Sequence, residues 1–343
     1  MKTLDDVRRL LGDLDPARDL DPADERRRAA DLARILATDR GPSTGRRALP
    51  RRRFVLAAGA AALALAAGVV TLETVREPQP VWAVTPAMLT YGPASTTERA
   101  DVRLRRLAEV AAAQPAPPRP AGTVEHLESA NWFLNSSISG GRTTSAVVPQ
   151  QWRSWRTDDD AGRTVKRELP PVFRSDADRE EWRRRGGRVD PSRETTDYAA
   201  GEFTPGWPGP VPTDVATLRE WLDAGSPPGE PVQYLEDVAH LAGVRLLNPA
   251  QRATTLRLLA DLPGITVTGT VTDRAGRAGE AYSISSAAHG LPAQYTVIID
   301  PDSGVLLGYE EVLTTTAGRL NVTVPAVITY RTYLVAEYAP LPG

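Results

Sequence analysis

Side-chain catalysis draws on a short list of residue types, and this chain holds few of them. It has no Cys and three His, at positions 126, 240 and 289. A thiolate nucleophile, a cysteine-ligated zinc and a disulfide framework are therefore excluded. Three histidines so far apart lack the spacing of a metal site. His240 falls in a stretch of helical periodicity, where a structural role is the expectation. Asp158, Asp159 and Asp160 carry enough charge for calcium, but no Glu follows to close an EF-hand loop. With Ala161-Gly162 they read instead as a hairpin turn. The chain has no Gly-x-Ser-x-Gly elbow, no phosphate loop and no dinucleotide glycine fingerprint. Acids are plentiful, but no spacing singles out a pair for acid–base work. The reading is a non-enzyme with no catalytic residues, no cofactor and no bound metal. The alternative is an envelope hydrolase whose Ser, His and acid meet only in space.

The charged residues say more about topology than about chemistry. The 343 residues carry a net charge of -2, and 39 of the 41 basic side chains are arginine. That balance argues against direct nucleic-acid binding through a basic field. Residues 54–72, FVLAAGAAALALAAGVVTL, are uncharged. As a helix this run covers about 28 Å, close to the ~30 Å hydrocarbon core of a bilayer. Arg46, Arg47, Arg51, Arg52 and Arg53 precede it, and no acid lies between residues 40 and 53. The positive-inside rule then puts residues 1–53 in the cytoplasm and the rest outside a single transmembrane helix at 54–72. The rival is a cleaved export signal, with Arg51-Arg52-Arg53 as a twin-arginine motif and Val81-Trp82-Ala83 as a cleavage site. The apolar run is longer than the usual ~7–15-residue core of such a signal, which favours the anchor.

The elements on either side follow from periodicity. Residues 1–53 hold two short amphipathic stretches, too little for a core of their own. They can dock on a cytoplasmic partner or serve as a basic tail on anionic lipid. Residues 73–97 contain four prolines and read as a stalk. Residues 98–343 read as one extracytoplasmic α+β domain. A capping box at Ser95 to Glu98 opens a helix ending near Ala113, with Leu104, Leu107, Ala108 and Ala111 on one stripe. Strands are expected at Val124 to Leu134, Gln151 to Arg156 and Thr164 to Leu169. Residues 170–212 are a long polar loop with a short helix from Asp176 to Arg185. Trp207 within it reads as a loop anchor, with a binding aromatic as the alternative. Helices follow at Asp214 to Ala224, at Pro231 to Ala242, and after Asn248 as N-cap with Pro249 at its first position. A β-meander closes the chain: Ile265 to Thr272, Glu280 to Ser285, Gln294 to Asp300, Val305 to Leu313 and Val322 to Ala336. The economical architecture is an antiparallel sheet with helices packed on one face, curved into a half-barrel.

This order of parts resembles an uncharacterised actinobacterial family of membrane-anchored proteins. The pieces that carry the likeness are Arg51-Arg52-Arg53 before Phe54, Leu104 to Pro115, Trp152-Arg153-Ser154, residues 258–267 (LLADLPGITV) and residues 299–308 (IDPDSGVLLG). More loosely, the layout is similar to membrane-anchored anti-sigma factors, and the helix-plus-meander pattern to half-barrel lipoprotein carriers and lipid-binding periplasmic sensors. The first likeness implies a sigma factor or similar regulator as partner of residues 1–53, although the His/Cys motif of zinc-using anti-sigma factors is absent. The second implies a lipid or other hydrophobic ligand on the outer domain. The leading expectation is a single-pass protein with an external sensing or binding domain.

Overall fold

The computed structural model describes residues 80–94, 97–139, 142–203, 207, 209–225 and 229–342. The apolar run at 54–72, its flanking arginines and the N-terminal tail lie outside them. Among the described residues no helix is long and apolar enough to cross a membrane.

The described residues form an antiparallel sheet of nine strands with five helices, an α+β fold. In chain order these are α1 (Ala100–Ala113), β1 (Thr123–Ser139), β2 (Arg142–Arg156), β3 (Gly162–Glu168), α2 (Asp176–Arg184) and β4 (Ser192–Tyr198). Then come α3 (Val215–Gly225), α4 (Pro231–Val244) and α5 (Pro249–Ala260), followed by β5 (Thr266–Thr272), β6 (Ala278–Ser286), β7 (Ala293–Ile299), β8 (Leu306–Leu313) and β9 (Ala326–Pro340). The strand order is β4-β3-β2-β1-β9-β8-β7-β6-β5. Two meanders are thus joined by one long-range pairing, β1 to β9, running from Thr123↔Pro340 to Phe133↔Thr329.

The two halves of the sheet are buried differently. In β6 and β7 nearly every residue from Gly279 to Ile299 within the strands is buried, on both faces. One face receives α1, α3, α4 and α5; contrary to the expectation of helices on one face only, α2 packs on β2 from the other side, where Trp182 meets Ala146 and Val148. α4 packs across β6, β7, β8 and β1, and α1 packs on α5. Tyr309 Oη donates to Glu236 of α4 at 3.1 Å, and Tyr333 Oη donates to the Ala239 carbonyl. Leu104, Leu107, Ala108 and Ala111 are the buried stripe of α1, as their spacing predicts. Burying each such leucine is worth about 1.5–3 kcal/mol. Arg103 ties α1 to β6 through Glu280 at 2.8 Å, which also accepts from Tyr282 Oη at 2.7 Å.

The other face of β5–β8 is covered by residues 80–94, the stretch expected as a stalk. This segment is a strap laid on the sheet. Val81 is fully buried, and its carbonyl accepts from Ser145 N at 3.0 Å. Ala83 N donates to Asn321 O at 2.8 Å. Leu89 and Tyr91 pack on Val271, Ala281, Ile298 and Leu307. At the far end Gly92 N donates to Thr270 O at 2.8 Å. A strand covered on both sides has no polar face, which explains the unbroken burial of β6.

Element boundaries differ from expectation at five places, the first being β1, which runs on to Ser139 rather than ending at Leu134. α1 begins at Ala100 behind Arg99, which gives no side-chain cap. Glu98 pairs with Arg106, and Ser95 of the expected capping box lies outside the described residues. β2 starts at Arg142, nine residues before Gln151, and passes through Pro149. The Pro149 carbonyl accepts from Leu169 N at 2.9 Å, so its imide nitrogen also points toward the β3 side, away from β1. The β1–β2 ladder therefore loses no donor there. The loop at 170–212 contains α2, close to the expected helix, and also β4, which was not expected. The last strand begins at Ala326, just after Pro325, and runs on to Pro340.

Candidate functional site

The β1–β4 wing is less covered than the rest, and a cleft of about 340 Å³ opens there on the helix-bearing face. Two adjacent rungs of the ladder build its floor. One is Ser129–Trp152–Lys166–Glu194, the next Leu127–Ser154–Thr164–Thr196. Alternation along each strand puts both rungs on one face. α4 supplies the opposite wall with His240, Gly243 and Val244. α4 approaches the sheet closely at Gly243, where a Cβ would lie 3.3 Å from the Tyr333 ring. Phe203 closes one end, edge-on to Tyr198 at 4.9 Å between ring centroids.

More of the cleft's surface is apolar than polar, although Lys166 and Glu194 belong to its floor. Trp152 is 43% exposed, and its indole N–H donates to Gln150 Oε1 at 2.8 Å. Lys166 Nζ lies 5.8 Å from the Trp152 ring centre and pairs with Glu168 at 2.9 Å. His240 meets the Trp207 ring edge-on at 5.4 Å. The surrounding protein, and then Arg331, push its pKa down to about 4. At neutral pH it is an uncharged ring at the cleft mouth. Trp207 itself is a loop anchor, 3% exposed, with Nε1 donating to Leu222 O at 3.0 Å.

The other two histidines lie elsewhere. His126 is buried, stacked on Trp155 at 4.5 Å, with Nδ1 3.0 Å from Ser154 O and Nε2 3.1 Å from Glu128. His289 pairs with Glu236 at 2.8 Å. Among the described residues no histidine makes a hydrogen bond to a hydroxyl, and no group of three or more His, Asp or Glu is placed to hold a metal ion. Asp158 to Asp160 form the β2–β3 turn, closed by Thr157 N donating to Ala161 O at 3.0 Å. Asp160 takes φ 57°, a left-handed conformation that Asp tolerates.

Glu236 and Glu311 form a second polar cluster beneath α4. Burial, then the Glu236 charge, raises the Glu311 pKa to about 7. Such a group changes charge near neutrality, unlike an ordinary carboxylate.

Reading the sequence did not find this cleft. Two of its walls come from β4 and from the C-terminal half of α4. SRETTDY is polar on both faces, so it carries no hydrophobic alternation to betray a strand. Trp152 was placed on a strand, but its cross-strand neighbours are set by register. Compared with protein-family models, with curated proteins and with solved structures, the chain matches none.

Proposed function

We propose that the chain is a non-enzymatic single-pass membrane protein whose external domain binds a hydrophobic ligand in the cleft between the β1–β4 wing and α4. The cleft itself carries this reading: a concave surface with more apolar than polar area and an exposed tryptophan, on the face that α1, α3, α4 and α5 fill elsewhere. Ligand sites of this kind are concave and mostly apolar, with few polar groups. The finer architecture we infer is a half-barrel, with α4 lying in its concavity. The retained anchor is supported by the strap. Cleavage at Val81-Trp82-Ala83 would remove two buried residues and the backbone bonds that start the strap. The tail at 1–53 then serves to pass the bound state to a cytoplasmic protein, with a sigma factor as the leading candidate.

The test is a titration of the full-length protein in amphipol with a neutral apolar probe, 1-octanol, read by tryptophan fluorescence. Saturable quenching that falls by at least half in Trp152→Phe supports the reading. An unchanged signal in wild type, or equal quenching in the variant, overturns it. The regulatory limb is tested by pull-down with residues 1–53; retention of no cytoplasmic protein would sink it.

A further inference from the structure

A second pocket, of about 210 Å³, lies between α4, α5 and strands β8 and β9. It sits on the opposite side of α4 from the cleft. His240, Gly243 and Val244 face the cleft, whereas Val238, Ala242 and Arg245 face this pocket. At 100° per residue the two sets fall on opposite faces of the helix. Its walls are mainly apolar, among them Leu246, Leu256, Leu259, Leu306 and Tyr333.

Three arginines also line it, and they are unequally neutralised. Arg277 is paired with Asp273 at 2.6 Å. Arg245 is 4% exposed and donates through Nη2 to the carbonyls of Trp207 at 2.8 Å and Gly209 at 3.2 Å. The acids nearest to it, Glu125 and Asp160, are both paired with Arg156. Arg252 donates only to the Leu247 carbonyl, at 3.3 Å, and has no carboxylate partner among the described residues. The Nε atoms of Arg245 and Arg252 are both buried without an acceptor. Burial lowers the pKa of Arg252, and no charge opposes it. An arginine stays protonated even so, and a guanidinium without a counter-charge is costly in proportion to its burial, which is nearly complete for Arg245 and partial for Arg252.

We propose that this pocket binds an anionic amphiphile, a medium-chain carboxylate or its phosphate-headed equivalent, with the head on Arg252 and Arg245 and the chain along the leucine wall. The anion supplies a counter-charge to the two guanidinium groups that line the pocket, neither of which has a carboxylate to itself. The proposal is independent of the ligand in the cleft, because α4 separates the two sites.

The test uses the full-length protein in amphipol, titrated by calorimetry with sodium octanoate, 1-octanol and inorganic phosphate in parallel. The expected result is saturable octanoate binding at least tenfold tighter than octanol at this site. Arg252→Gln weakens octanoate at least tenfold and leaves octanol unchanged, while Arg252→Lys restores most of the loss. Phosphate competes with octanoate if the head alone is recognised. Failure of phosphate to compete assigns the affinity to the amphiphile as a whole. No saturable octanoate binding in wild type, or octanoate binding of unchanged affinity in Arg252→Gln, overturns the proposal. Trp152→Phe serves as the control for the cleft and leaves octanoate binding intact.

Discussion

Glu311 shows how one buried carboxylate couples the fold to pH. It faces Glu236 of α4, His289 of the β6–β7 loop, Tyr295 of β7 and Thr329 of β9. Its folded pKa of about 7 lies above the ordinary 4.5, so between those values the folded state binds more protons than the unfolded chain. Its contribution to stability is greatest at acid pH and is lost as pH rises through 7. Urea unfolding of wild type compared with Glu311→Gln, at pH 5 and pH 8, reads this directly. The variant should gain about 1–3 kcal/mol relative to wild type on going to the higher pH. An equal pH dependence in the two proteins would rule the mechanism out. Neither this cluster nor the uncompensated Arg252 could be read in sequence, because each is defined by a neighbour 50 or more residues distant or by one that is missing. Trp207 was legible: its flanking prolines and glycines marked an anchor, and it is one.

Helices were the elements best resolved by sequence, because their start signals are local. Asn248, Pro249 and Gln251 predict the beginning of α5, and both hydrogen bonds of the capping box form. Asn248→Ala should cost about 1 kcal/mol in chemical denaturation, since the Gln251 N–H loses its acceptor. Strands were less legible where their environment is unusual. β4 is polar on both faces, and the first half of β2 contains a proline tolerated only because its nitrogen turns away from β1. Gly269 of β5 belongs with these. Its φ is +144°, and a Cβ would collide with the Gly92 carbonyl. Gly269→Ala should therefore lift the end of the strap at a cost of about 1–3 kcal/mol. Faster amide exchange at Gly92 and Thr270, with the β7 amides unaffected, is the expected signature. Unchanged exchange at Gly92 would show that the contact does not hold the strap.

For the molecule as a whole, orientation is the property on which the proposed function depends. If Arg46, Arg47, Arg51, Arg52 and Arg53 set it, replacing all five with Gln should leave a substantial fraction of the large C-terminal domain protected from added protease in intact spheroplasts. In wild type that domain should be digestible. Complete digestion in both would show that other residues decide orientation. The meander and the helical layer were foreseeable from periodicity, but the covering of the sheet's second face was not. Four prolines between residues 73 and 97 suggested a spacer, and only the burial of Val81, Leu89 and Tyr91 against distant strands corrects that.

The strap has a consequence for solubility. A nine-stranded open sheet ends in two rows of unpaired backbone groups, each a template for another chain. At β5 the row is occupied by Gly92 and Pro93, which bond to Thr270. Where β2 runs past the end of β3, Val81 fills the same role against Ser145. The remaining border, β4, carries Arg193, Glu194 and Asp197, charges that discourage a neighbour. One fifteen-residue segment thus seals two borders of the sheet, and its detachment would expose adhesive strand edges as well as an apolar face.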